Sequence, residues 1–154
     1  MMRWLGALKP SKSSFHARVA LFLYVFCVLG LLVNDHVLKW HSNLPGWFTG
    51  KLSDFFGLIV APLTLCLLVR ARSPRARALC FAVPTALFVA TELSSKCADL
   101  VSGLFAATGL SWKLWADPTD LIALSVLPLA WRMALWMGDK VIQSDKVIQT
   151  LRWL

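Results

Sequence analysis

The chain has 154 residues and is 58% hydrophobic and 16% charged, with a formal net charge of +8. A soluble domain is closer to half apolar and a quarter charged, and here the apolar residues gather into runs, so a water-soluble globule is excluded and one integral membrane domain is expected. The basic excess would suit nucleic acid, but its distribution (below) makes it a topology signal, and a nucleic-acid partner is set aside.

Residues 1–16 are basic and interrupted by Pro10. They read as a tail whose Trp4, Leu5 and Leu8 can lie on a membrane surface. Arg18 precedes the apolar run 19–33 of a first span over about 17–33. With its basic leader this run resembles a signal peptide, but Asn34-Asp35-His36 follows in place of a small-residue cleavage site, so an uncleaved first helix is expected. Residues 34–50 are expected to form a loop, with a turn at Pro45-Gly46 and with Trp40 and Trp47 at the headgroup level. Thr49 is the expected N-cap of the second span, about 52–69, which contains Pro62. The four arginines 70, 72, 75 and 77, with Pro74 among them, form a tight connection to a third span over 78–93.

The segment 98–112 is apolar but too short to cross a bilayer, so a re-entrant or interfacial helix is expected there. Asp117-Pro118-Thr119-Asp120 reads as the start of a fourth span over 118–137, an acid before a proline with a second acid in the first turn. A tandem hexapeptide, DKVIQS then DKVIQT, fills much of the tail 139–154 and is expected to lie as an amphipathic helix on the membrane. The fold class is therefore all-α, a four-helix transmembrane bundle.

With four spans, both termini share a side with the 70–77 connection. Twelve of the sixteen basic residues then fall on that side, leaving Lys39, Lys51, Lys96 and Lys113 on the other. The excess of Lys and Arg predicts both termini in the cytoplasm. Four cysteines stand singly with no C-x-x-C pair, which gives no redox or zinc signature; Cys27, Cys66 and Cys80 read as packing residues.

The acids go the other way. Lys51/Asp54, Glu92/Lys96 and Asp117/Asp120, each at helical neighbour spacing, come to one depth at the outer end of the spans. Ionisable groups at that depth are costly and tend to be functional. Asp54, Glu92 and Asp120 are the candidate acid/base or polar-pocket residues, and Lys51, Asp117 and Lys96 the candidate ligand-binding ones. Thr49, Ser53, Ser94, Ser95 and Thr119 add hydroxyls, and His36 and His41 lie on the adjoining loop. The competing expectation is that Asp117 and Asp120 cap a helix and that the two Lys–acid pairs are intrahelical ion pairs. No metal-ligand spacing, nucleophile elbow or mid-span acid is present, so no metal, cofactor, hydrolase triad or complete proton path is expected.

Lys51-Leu52-Ser53-Asp54-Phe55, Thr91-Glu92-Leu93-Ser94-Ser95 and Asp117-Pro118-Thr119-Asp120-Leu121 come in the order of three short motifs of the VanZ-like family of small bacterial membrane proteins, which the chain resembles over residues 49–130. It departs at Asp54, where a His is commoner, at Ser94 and Ser95 around a usual Gln, and at Leu124 or Ser125 in place of an Asn-Gly step. The resemblance implies a cell-envelope role and gives Lys51, Asp54, Glu92 and Asp120 as polar positions. Two functions are carried forward: binding or processing of a membrane lipid or lipid-linked envelope precursor, or service as a non-catalytic subunit of a larger membrane complex.

Overall fold

The computed structural model describes residues 12–39, 44–109 and 113–138. Helix α1, Lys12–Val33, runs without a break into a π-helical turn, Asn34–Leu38. Helix α2 is Gly46–Leu68, α3 is Pro74–Leu93 and α4 is Ser95–Ala107. Helix α5, Pro118–Gly138, starts as a 3₁₀-helix over Pro118–Val126 and finishes as an α-helix. The described residues contain no strand. Four of these helices (α1 with its π turn, α2, α3 and α5) are long and apolar enough to cross a membrane. Phe22, Leu68 and Leu79 are among many large apolar side chains left exposed on them. Such surface has no place in water, and the chain is a membrane protein.

The helix starts differ in part from the sequence expectation. Residues 12–16 belong to α1, not to a tail. The loop expected at 34–50 is largely helical, because the π turn extends α1 and α2 begins at Gly46. Thr49 is consequently not an N-cap. Pro45, with ψ 135°, holds that position, and the buried Thr49 hydroxyl donates to the Gly46 carbonyl at 3.2 Å within the helix. Helix α3 starts as its sequence suggests: Pro74 supplies a fixed φ at the first helical position, and the Ser73 side chain accepts from the Ala76 N–H at 3.0 Å. Five residues, 69–73, suffice for the connection before it because Arg70 takes a left-handed φ of 48°.

Helix α2 is the centre of the bundle and packs against α1, α3 and α5. Small side chains let the backbones approach. Ala20, Ala130 and Ala134 lie in the core beside Cys27, Ile59, Leu63, Phe81 and Met133. At Gly30 the approach of α1 to α2 is closest, since a Cβ there would stand 2.7 Å from the Phe56 ring. Tyr24 and Thr64 share a hydroxyl hydrogen bond of 2.8 Å across the same pair. Phe81 and Trp131 pack edge to face at 5.0 Å between α3 and α5, and His16 stacks on Trp136 at 5.2 Å between α1 and α5.

Helix α4, 13 residues, occupies the segment expected to be re-entrant or interfacial and is too short to span. Ser94 alone, extended at φ −141° and ψ 112°, separates it from α3. The Ser102 hydroxyl accepts from the Leu114 N–H at 2.9 Å, which ties α4 to the strap leading into α5. The tail 139–154 with its hexapeptides, Trp40 and His41 lie outside the described residues.

Candidate functional site

Four backbone irregularities of the described residues fall at the same end. The π turn of α1, the start of α2, the extended break at Ser94 and the 3₁₀ start of α5 converge there, and they carry the acids. Departures from α-helix at membrane depth leave carbonyls and N–H groups for side chains to satisfy, and the polar residues here do so.

Asp117 is the N-cap of α5. Its carboxylate accepts from the Thr119 N–H at 2.9 Å and from the Thr119 hydroxyl at 2.7 Å. Those two donors, the hydroxyl foremost, hold its pKa below the ordinary carboxylate value. The capping role expected from sequence is thus present. The buried Glu92, at the end of α3, accepts from the Asp117 N–H at 3.0 Å. Two acids therefore serve one helix start, and Glu92 fixes α3 to α5.

The pairs expected within helices are not formed. Lys51 turns from Asp54 to α5, where its ammonium bonds the Asp120 carboxylate and the Thr119 hydroxyl, the latter at 2.7 Å. A short acid three residues on in the same helix cannot compete with a carboxylate delivered from the neighbouring one. Glu92 makes no ion pair with Lys96 among the described residues, because the chain breaks at Ser94 and Lys96 faces outward on α4. The Asp54 carboxyl lies near those of Asp120 and Glu92 and feels the charge of both. Of the six candidate residues, Asp54, Glu92, Asp120, Lys51 and Asp117 are brought together and Lys96 is not.

A second layer comes from α1. Asn34 is fully buried; its amide nitrogen donates to the Thr49 carbonyl at 2.8 Å and to Ser53 Oγ at 2.7 Å, with a longer contact of 3.4 Å to Asp35. The Ser53 hydroxyl donates to the Asp35 carboxylate at 2.6 Å, and Lys39 pairs with Asp35 at 2.7 Å. The Asn34 side-chain carbonyl has no donor among the described residues. Asn34 and Asp35 were not singled out in the sequence. Their signal was an Asn-Asp pair that ends an apolar helix with no cleavage site after it. His36 is exposed beside them.

Chemically, the cluster sets four carboxyl groups (Asp54, Glu92, Asp117 and Asp120) against one ammonium. Two facing carboxyls can accept a proton and pass it on, and carboxylates bind donors and cations. No group of three or more His, Cys, Asp or Glu among the described residues is placed to hold a metal ion. The structure also brings together one pair that reads as scattered in sequence: the Cys66 and Cys80 thiols, from α2 and α3, meet across the helix interface with neither in a disulfide.

Compared with family models, curated proteins and solved structures, the chain matches none, and its resemblance to the VanZ-like family rests on the three motifs alone.

Proposed function

We propose that the acidic end of the bundle binds the headgroup of an amphiphile, a membrane lipid or lipid-linked envelope precursor, at the outer leaflet of a bacterial cytoplasmic membrane. The observation that carries this reading is Asp54. Its carboxyl lies beside Asp120 and makes no ion pair among the described residues, feeling Lys39 and Lys51 only through their charge, while the Lys51 ammonium bonds Asp120 and Thr119. The headgroup that suits such a site brings hydrogen-bond donors or a positive charge. A lysine-held anion suits it less. Glu92 and Asp117 hold the walls together, and Asp54 with Asp120 receives the ligand. The charge asymmetry between the two ends supports the outward orientation.

The test is native mass spectrometry of the protein released from membranes in mild detergent, wild type beside Asp54→Asn and Glu92→Gln. A co-purifying amine- or hydroxyl-bearing lipid, lost in Asp54→Asn with the unfolding midpoint unchanged, is the expected result. Unfolding of both variants would make the acids structural. A stoichiometric protein partner retained by both would favour the accessory-subunit function instead.

A further inference from the structure

At the other end of the bundle stands an arginine that no carboxylate of the described residues neutralises. Arg77, in the first turn of α3, is only 8% exposed. Its guanidinium makes no ion pair among the described residues. The carboxylates of those residues, Asp35, Asp54, Glu92, Asp99, Asp117 and Asp120, belong to the acidic end. Fifteen residues of helix, about 22 Å, separate Arg77 from Glu92 on α3 itself. A guanidinium held against an apolar wall with no carboxylate beside it suits an anionic ligand.

Arg77 lines a partly open cavity of about 80 Å³ between α2, α3 and α5. Leu63, Leu67, Ala134 and Met137 form its apolar wall, and Arg70 lies at its rim on the left-handed turn. The space is several water volumes, enough for a small oxyanion and not for a whole lipid. Gly138 closes one side, where a Cβ would stand 3.0 Å from Arg77 Nη2 and push the guanidinium aside. Guanidinium forks match phosphate oxygens two at a time, and basic pockets between membrane helices receive lipid headgroups.

We propose that this cavity is an oxyanion site in which Arg77 grips a phosphate-type group from the basic side of the membrane. The apolar wall and the position at the end of the spans suit the phosphate of an anionic lipid whose chains run along α2 and α5. Free phosphate shares the chemistry. This site is separate from the acidic one, and its test does not depend on that reading.

The experiment uses the full chain in nanodiscs of phosphatidylcholine containing one-fifth phosphatidylglycerol. Native mass spectrometry after release counts the retained lipid, and thermal unfolding is followed in parallel with and without inorganic phosphate. Wild type retains phosphatidylglycerol in preference to phosphatidylcholine. Arg77→Gln reduces that preference about tenfold or more, as expected when one member of a buried charge contact is removed. Arg75→Gln, at an exposed arginine of the same connection, leaves it unchanged. Should Arg77→Gln fail to fold, Gly138→Ala displaces the guanidinium and weakens retention in its place. Phosphate that raises the unfolding midpoint of wild type but not of Arg77→Gln, with no lipid retained, keeps the site and assigns it to a soluble anion. Equal losses in Arg75→Gln and Arg77→Gln would reduce the effect to diffuse charge and overturn the proposal. So would Asp139→Asn reproducing the Arg77→Gln defect without any lipid or phosphate dependence, since Asp139, next in the chain after Gly138, would then be the counter-ion.

Discussion

Lys51 shows at the residue scale why spacing alone misassigned the contacts of the acidic end. Three residues before Asp54, it has the separation of an intrahelical pair, yet its ammonium crosses to Asp120 and Thr119 on α5. Intrahelical charge pairs are weak, and a carboxylate from a packed neighbour that needs a cation displaces them. The expected consequence is measurable. Lys51→Ala lowers the unfolding midpoint in detergent, Lys96→Ala leaves it nearly unchanged, and Lys51→Ala combined with Asp120→Ala costs less than the two single changes added together. Additivity of the pair would show the bridge to be energetically idle. The residue types of the site were legible in the sequence, because charged groups at the ends of apolar runs stand out. Their partners were not. Asn34 illustrates the gap: a neutral amide between Val33 and Asp35 becomes a fully buried tie from α1 to Thr49 and Ser53 only once the helices are assembled.

Among the elements, the spans were legible and their starts were not. Hydrophobic runs mark the four long helices directly, but hydropathy is blind to caps. Helix α2 begins six residues before the apolar run at Leu52 because Pro45 can stand ahead of a helix and Gly46-Trp47-Phe48 can enter one. Ser94 divides a continuous helical pattern into α3 and α4 with a single extended residue. Packing between elements was legible least. Gly30 in a run of Leu and Val carries no special sequence signal, yet it is where the Phe56 ring crosses α1. Gly30→Leu is therefore expected to destabilise the bundle by about 1–3 kcal/mol through overpacking. Phe56→Ala in the same chain should recover part of that loss. Unfolding in mild denaturing detergent measures both, and failure of the second change to rescue the first would place the strain elsewhere.

At the scale of the molecule, the chain is a charge-sorted bundle, with arginines around the α2–α3 connection and carboxylates around the starts of α2 and α5. This sorting was legible because it depends only on the count and order of residues along the chain. Reporters fused at either terminus are expected to show cytoplasmic activity, and a cysteine placed at Lys113 to react with an impermeant thiol reagent added outside. The opposite labelling would invert the bundle and move the acidic cluster to the inner leaflet. The 3₁₀ start of α5 adds a consequence of a different kind. Pro128 has no N–H for the Leu124 carbonyl, and its ring crowds that group; the Leu127 N–H closes a tighter turn onto it instead. Nine residues wound at three per turn are about 4–5 Å longer than the same residues as α-helix, and their first residues are turned by about half a revolution. The segment Pro118–Val126 thus works as a screw thread beneath the carboxylates. Rewinding it would draw Thr119 and Asp120 toward the bundle centre, swing them off Lys51, and turn a displacement of α5 along its axis into the opening of the acidic end.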